Sequence, residues 1–496
     1  MLLRPSALDL RLILHDLGRV LSVVAVAGLL PLAWALARQE WRPAVHILLM
    51  MAICVLAGGG AQLLRVPLRR KADWSHGLVV VALTWLLVPA VSALPLMLSD
   101  HYGGWLDAYF EAMSGITTSG LSLVQDLDHL PDSINMWRHT THFLGGQGIV
   151  LAALSLFASS GATSLYQAEG RDERIFPSVA STARFIWLVS VAHLIFGAVA
   201  LTAHGAIVLG YTLDRSLFHA LTIFMAAFDT GGFSPQSSSV VYYHSFGYEV
   251  IISVLMIAGA MSFGLHHAIW NKRPHLMRNI EIRTILVTVV GTIALTTAGL
   301  AATYANAGGV SRRAVFQVIS AHSGSGFASV SVAELARWSG LAYVGMLIAM
   351  ALGGMSSSTA GGIKSLRIGL TVRAIADTVR AALLPERAVV TNTYQQYGRQ
   401  RLHPKLAQSV MAVSLLYVGL YLFGAAVGVA HGHGFQEALF ESVSASANVG
   451  LSVGITSPDM PTAMKIVMTL QMWVGRLEFI AVFALLGIFV AAARGK

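Results

Sequence analysis

Four short stretches of small and hydroxyl residues, each closed by a glycine, carry the residue types from which a cation site can be built. They read Thr117, Thr118, Ser119, Gly120; Asp229, Thr230, Gly231, Gly232; Ser323, Gly324, Ser325, Gly326; and Ala447, Asn448, Val449, Gly450. Glycine at a fixed loop position admits backbone conformations closed to other residues and lets carbonyls point one way. Four such loops about an axis make a ring of carbonyls and hydroxyls, which is how a filter replaces the hydration shell of a cation. One loop of this kind is an ordinary turn between helices. Four of them, each between two long apolar stretches, argue for a filter.

The elements that must position these loops are legible around them. An aromatic residue opens a short amphipathic helix before each loop, with identical spacing from Phe110 to Gly120, Phe316 to Gly326 and Phe440 to Gly450. The second copy departs, because Phe218 lies one helical turn further from Gly232. Glu111 and Glu441 occupy matching positions in the first and fourth copies and are expected to brace the filter from behind. Asp229 has two readings: a carboxylate behind the filter that biases it towards cations, or a cap on backbone N–H groups of its own loop. His322 reads as a packed, hydrogen-bonded side chain rather than an ion ligand.

With 55% hydrophobic and 11% charged residues over 496 positions, the chain is too apolar for a soluble globular protein. It reads as an all-α integral membrane protein, several of its apolar stretches reaching the roughly 20 residues that a span requires. The first apolar segment, preceded by Arg4 and Arg11, is expected to be a retained span rather than a cleaved signal. A lone cysteine, Cys54, excludes an internal disulfide and a cysteine metal cluster. The net charge of +9 does not argue for nucleic acid, because the basic residues crowd into alternate loops as the positive-inside rule requires.

Two spans come first, about 18–37 and 44–64, followed by the basic turn Arg65, Arg69, Arg70, Lys71. Four units of span, short helix, filter loop and span follow, a repeat in one chain that implies a pseudo-fourfold pore. The expected divisions are 1–72 for two N-terminal transmembrane helices, then pore repeats at 73–165, 166–275, 276–400 and 401–496. The first repeat has spans near 77–98 and 136–158, and its filter-side loop carries Asp100, Asp107, Asp126, Asp128 and Asp132. That face is placed outside, where the acids either concentrate cations or simply solvate the loop. Positive charge at Lys272, Arg273, Arg278 and Arg283, and again at Lys364, Arg367, Arg373, Arg380, Arg387, Arg399, Arg401 and Lys405, marks the cytoplasmic side. Ten spans with both termini in the cytoplasm are expected.

Two further features have physical content of their own. Gly353, Gly354, Ser356, Ser357, Ser358, Thr359, Ala360, Gly361 and Gly362 interrupt a would-be span. Irregular backbone at membrane depth is tolerated where it lines a cavity or is buried in protein, so this segment is a gate candidate; the alternative is a kink or packing patch of small residues. Arg476 lies in the last apolar span, where an arginine costs about 2.5–3.5 kcal/mol even on the lenient insertion scale. It pairs with Glu478, snorkels to an interface or faces the pore, and the pore is favoured because residues two apart point to different helix faces. His139 and His142, three apart, lack an acidic or cysteine partner in sequence for metal binding. His266, His267, His431 and His433 read as interfacial. Gly361 to Ser365 lacks the GK[ST] of a phosphate loop, and neither H-E-x-x-H nor G-x-S-x-G is present.

The four loops, together with GGMSSSTAGGIKSLR at Gly353 to Arg367 and VGRLEF at Val474 to Phe479, resemble the Trk/Ktr/HKT superfamily of potassium transporters. The two extra N-terminal spans make the chain most similar to the bacterial TrkH-type branch. The resemblance covers essentially the whole chain and implies potassium uptake through a four-loop selectivity filter, with an intramembrane gate loop and a pore-facing Arg476 beneath it. In that family a glycine in each loop goes with potassium preference, and a serine replacing the first goes with sodium transport. It also implies a homodimer in the inner membrane, controlled by a cytoplasmic TrkA-type ring that binds NAD(H) or ATP/ADP. This chain has no dinucleotide fingerprint, so no cofactor is expected on it and potassium is its substrate. The basic connection from Arg373 to Lys405 offers a docking surface for that ring or a contact for anionic lipid. A proton- or sodium-coupled symporter of the same fold is the nearest alternative, and a membrane-embedded enzyme a distant one.

Overall fold

Apolar runs bounded by polar caps become long helices here. α1 (Ala7–Ala27) starts at Ser6, whose hydroxyl caps the backbone N–H of Asp9 while the Asp9 carboxylate caps Ser6 in return. It passes almost directly into α2 (Leu29–Ala37). The first span therefore begins well before residue 18, as a 30-residue unit over Leu8–Ala37. α3 (Trp41–Gln62) packs back along it. The structure, a computed structural model, describes residues 6–64, 74–148, 176, 178–272, 276–301, 304, 306–338, 340–385 and 392–494. The basic turn at 65–71, residues 149–158 of the expected second span of repeat one, Arg273, Arg387 and three of the expected divisions (72/73, 165/166 and 275/276) lie outside or at the edge of the described residues.

The repeats then follow in order. Repeat one is α4 (Trp74–Met97), pore helix α5 (Trp105–Ile116) and α6 (Asp132–Gln147). Repeat two is α7 (Val179–Ile207), pore helix α8 (Leu213–Phe228) and a second span broken into α9 (Phe246–Ala260) and α10 (Phe263–Trp270), bent by 103°. Repeat three is α11 (Ile280–Ala301), pore helix α12 (Ala307–Ser323), and α13 (Gly340–Ala351) and α14 (Ser365–Leu383) on either side of the candidate gate loop. A hairpin, β1 (Thr393–Gln395) with β2 (Arg399–Arg401), precedes repeat four, and the expected division at 400/401 falls within its second strand. Repeat four is α15 (Pro404–Ala430), pore helix α16 (Phe435–Ser446), α17 (Thr462–Arg476) and α18 (Ile480–Ala493), the last two bent by 110°.

Among the described residues six helices are long and apolar enough to cross a membrane, or up to eight if each of the two bent pairs is one crossing. Among the described residues neither α6, at 16 residues, nor α13, at 12, reaches the length of a crossing. The second pore helix is not alone in its length: the four run 12, 16, 17 and 12 residues.

One apolar core lies mainly among the N-terminal pair, repeats one and two and the end of repeat four; a second joins repeats three and four. Exposed Leu56, Val199, Leu415 and Phe423 carry the outward apolar surface that lipid would cover. In the α2–α3 turn, the Glu40 carboxylate accepts from the backbone N–H groups of Asp132 and Ser133, both at 3.0 Å. It thereby caps α6 from outside and ties the N-terminal pair to repeat one.

Candidate functional site

Each pore helix ends where its loop begins, and the four loops repeat one backbone pattern. The residue two before the closing glycine is left-handed in every copy: Thr118 (φ 53°), Thr230 (52°), Gly324 (75°) and Asn448 (54°). So is the glycine itself, at 79° for Gly120, 73° for Gly232, 73° for Gly326 and 100° for Gly450. A left-handed β-branched residue is strained, costing on the order of 1–3 kcal/mol, so Thr118 and Thr230 hold this shape because their surroundings impose it. The loops then close a ring. A Cβ on Gly120 would lie 2.4 Å from the Gly231 carbonyl oxygen, one on Gly232 1.9 Å from that of Ser325, one on Gly326 1.8 Å from that of Val449, and one on Gly450 2.5 Å from that of Ser119. Each glycine therefore abuts the carbonyl preceding the next glycine, in the order one, two, three, four and back to one.

Side chains stitch the ring from behind. Ser119 Oγ shares a hydrogen bond with Thr117 Oγ1 at 2.8 Å and accepts one from Asn448 Nδ2 at 2.7 Å, joining the first and fourth loops. Ser323 Oγ and Ser325 Oγ form the corresponding pair at 2.9 Å in the third loop. Thr117, Asp229, Ser323 and Ala447 stand at matching positions where the pore helices end, and all four are buried. Asp229 Oδ1 accepts from Gln147 Nε2 at 2.8 Å, and Gln147 Oε1 accepts from Ser190, so α6 and α7 anchor that carboxylate.

The expected bracing is a repeated device. Glu111 accepts from the backbone N–H of Leu123 at 2.8 Å and from Ser122 Oγ at 2.9 Å; Glu441 accepts from Val453 N–H at 2.9 Å and Thr456 Oγ1 at 2.6 Å. In the third copy Gln317 does the same with Ser329 N–H at 2.8 Å. The sequence reading missed Arg138, a buried residue of α6 that gives Glu111 two hydrogen bonds, at 2.9 and 2.6 Å, and lies 4.2 Å over the Phe233 ring. Asn135 Nδ2 donates to the Pro235 carbonyl at 3.1 Å beside it, so α6 braces the second loop, which has no acid of its own at the matching position.

Three glycines after the loops were also missed. A Cβ on Gly145, Gly259 or Gly475 would lie 1.8, 1.9 or 1.9 Å from the carbonyl oxygen of the last residue of its own repeat's pore helix, Ile116, Phe228 or Ser446. They let the second helix of repeats one, two and four press against the end of the pore helix. Gly145 and Gly475 both stand 25 positions after the closing glycines of their loops, a spacing that could have revealed them.

The candidate gate segment is an excursion pinned at its neck. Gly353 N–H donates to Ile363 O at 3.0 Å and Ile363 N–H to Ala351 O at 3.1 Å, while Gly354 O accepts from Ser365 N–H at 3.0 Å. A Cβ on Gly353 would lie 1.9 Å from Gly361 O, and Gly362 (φ 70°) turns the chain back. The loop's far end sits beneath the ring. Thr359 Oγ1 bonds Phe228 O at 3.0 Å and meets Thr230 Oγ1 at 3.2 Å, and a Cβ on Gly361 would lie 2.2 Å from Ala447 O. Ser356 N–H donates to Glu281 at 2.7 Å.

Arg476 ends α17 rather than lying inside one continuous span. The chain breaks after it, with Glu478 and Phe479 both left-handed. Its guanidinium donates to Thr359 O at 2.7 Å, Gly145 O at 2.9 Å and Thr118 Oγ1 at 3.1 Å, and stacks 5.3 Å from the Trp85 ring. Glu478 pairs with Arg367 instead. With Ser357, Ser358, Ala360, Gly361 and Lys364, Arg476 lines a cavity of about 40 Å³ below the ring.

Other side chains find quieter places. His322 Nε2 bonds Thr288 Oγ1 at 2.8 Å, as a packed histidine should. His139 has a backbone carbonyl beside each ring nitrogen, Asn135 O at 2.8 Å and Phe233 O at 3.2 Å, and stands 6.5 Å from His142 between ring centres; among the described residues no group of three metal-ligating side chains occurs. Of the five filter-side acids, Asp107 is buried against Lys465 Nζ at 2.6 Å, Asp128 accepts from Ser237 N–H at 2.9 Å, and Asp132 pairs with Arg38 at 3.4 Å. Asp126 is exposed beside His129, whose hydrogen bond holds the carboxyl below the usual range while the carboxylate raises the imidazole. Asp107 and Asp132 are thus held in ion pairs, while Asp100, Asp126 and Asp128 stay exposed on that face.

Comparison with known proteins agrees with this architecture. The cation transport protein family TrkH matches residues 44–490. An uncharacterized cation transporter of Methanocaldococcus jannaschii is 28% identical, the match covering 97% of this chain and 96% of that one. The Trk system potassium uptake protein TrkH of Halomonas elongata is 30% identical over 96% of this chain and 98% of its own. In fold, the crystal structure of the potassium transporter TrkH from Vibrio parahaemolyticus superposes with a TM-score of 0.82 at 24% identity, over 96% of this chain and 98% of that one.

Proposed function

Since the chain belongs to the TrkH family of cation transport proteins, a family of transporters and not of enzymes, we propose that it takes up potassium through the four-loop ring. The observation that carries this reading is the cyclic contact of each glycine with the carbonyl before the next. Loops so interlocked hold their carbonyl oxygens at fixed separations, which is what exchanging water for protein oxygen around one cation requires. Relatives named as Trk system potassium uptake proteins support the choice of ion.

In this reading Thr117 to Gly120, Asp229 to Gly232, Ser323 to Gly326 and Ala447 to Gly450 form the filter. Gly353 to Gly362 and Arg476 form the gate, and the conformation described is closed. The bound guanidinium places a positive charge below the ring and ties down the loop that would have to move. Potassium enters down the membrane potential when that contact is released. The chain works in the inner membrane with both termini cytoplasmic, as a homodimer whose gate answers to a cytoplasmic nucleotide-binding ring; the basic segment around Arg373 to Lys405 supports that docking side.

Tracer rubidium uptake into proteoliposomes containing the purified chain tests the proposal. Competition by potassium and not by sodium is expected, and equal competition would refute a potassium-selective ring.

A further inference from the structure

The hairpin β1–β2 turns its tip into the protein. Gln396 Nε2 donates to Glu281 Oε2 at 3.2 Å, and the Tyr397 hydroxyl shares a 2.5 Å hydrogen bond with Ser262 Oγ. Ser262 caps α10 at the break between α9 and α10, through the backbone N–H of Leu265 at 3.1 Å. Glu281, in the first turn of α11, is fully buried. Its other carboxylate oxygen accepts from Ser356 N–H of the gate loop at 2.7 Å and from Ser365 Oγ, where α14 begins, at 3.3 Å. One buried carboxylate therefore joins the gate loop, the helix after it and the hairpin tip.

A buried carboxylate is costly without donors around it, and here the donors come from segments far apart in sequence. Removing the hairpin tip takes away the Gln396 donor and the Tyr397 contact at the neighbouring helix break together. The hairpin continues through Leu402 and His403 into α15, so a displacement of this connection reaches Glu281 directly. The gate loop is thus held at two places: by Arg476 at Thr359, and by Glu281 at Ser356.

We propose that Glu281 is the positioning residue of the gate loop and that the hairpin tip is a latch on it, so that withdrawing Gln396 and Tyr397 frees the loop and raises cation flux. The inference rests on the reading of Gly353 to Gly362 as a gate. It requires a reciprocal contact. Glu281→Gln leaves a single acceptor oxygen where the Ser356 N–H and the Gln396 amide each have their own, and Gln396→Glu sets two carboxylates together. The double exchange restores one donor and one acceptor in reversed roles.

The test is tracer rubidium uptake by the full chain in proteoliposomes, for the parent, both single variants, the double exchange, Tyr397→Phe and Arg476→Ala. Each single variant should raise uptake several-fold and Tyr397→Phe less. The double exchange should return it to the parent level, with the potassium-over-sodium competition ratio constant throughout, a rescue that general loss of stability does not give. Unchanged uptake in the latch variants while Arg476→Ala raises it would overturn the latch and leave the gate reading standing. Equal elevation in single and double variants would overturn the reciprocal contact. An Arg476→Ala variant with no potassium-competed flux would bring down the transport reading and the latch with it. Tyr397→Phe removes one hydroxyl and should fold, so it decides the matter if the charge exchanges do not assemble.

Discussion

Arg476 donates to the Thr359 carbonyl oxygen at 2.7 Å, joining the end of α17 to the loop between α13 and α14. The two residues are 117 positions apart and belong to repeats four and three. The same guanidinium reaches Gly145 in repeat one and the loop residue Thr118, so one side chain holds three repeats together below the ring.

Arg476→Ala removes all three donations and is expected to raise the cation leak of the unregulated chain. Arg476→Lys keeps the charge but lacks the planar fork that reaches several acceptors at once, so its leak should fall between alanine and parent. Uptake into vesicles checks both, and an unchanged or smaller leak in the alanine variant would remove this role.

The glycines of the ring should differ in tolerance. A Cβ on Gly326 or Gly232 collides most closely with its neighbour's carbonyl, at 1.8 and 1.9 Å, whereas Gly120 and Gly450 leave 2.4 and 2.5 Å. A left-handed alanine adds about 1–2 kcal/mol of its own. Gly326→Ala and Gly232→Ala should therefore abolish potassium preference, and Gly120→Ala and Gly450→Ala should weaken it less. The ratio of potassium to sodium competition gives the ranking; the reverse order would mean that ring closure does not set selectivity.

Arg138→Leu leaves Glu111 buried without its cation, a loss of about 3–5 kcal/mol for a broken buried pair. A sharply lowered melting temperature in detergent is expected. Adding Glu111→Gln should recover part of it, because the stranded charge is then gone. If Arg138→Leu melts with the parent, the brace is dispensable.

Thr359→Val keeps the shape of the loop's far end and deletes a hydroxyl bonded to Phe228 O and in contact with Thr230. Losing a hydrogen bond worth about 0.5–1.5 kcal/mol should loosen the loop and give a leak smaller than that of Arg476→Ala. A leak equal to or larger than that of Arg476→Ala would place the main hold on the loop at Thr359.

Much of this was legible in the sequence, and the limits have physical causes. The closing glycines were visible because left-handed backbone selects that residue type, and Glu111 and Glu441 because an acid behind a buried loop must meet donors. The interruption at Gly353 to Gly362 could be read because small residues break an apolar run. What stayed hidden depends on contacts across the chain. Arg138 looks like an ordinary arginine until Glu111 and Phe233 fold against it. Asp107 looks like part of an acidic mouth until Lys465, 358 positions away, neutralises it. The pairing of Glu478 with Arg367 was hidden because the sequence argument assumed one continuous helix, whereas the helix ends at Arg476. The hairpin tip gave no signal, since Gln396 and Tyr397 carry no periodicity and their partners lie in distant helices.

The most direct test of the ring is anomalous scattering from thallium or rubidium in crystals of this protein. The account predicts a peak enclosed by the backbone of Ser119, Gly231, Ser325 and Val449 that excess potassium displaces and excess sodium does not. Scattering found only in the cavity beside Arg476, or outside the ring altogether, would contradict the assignment of these four loops as the filter.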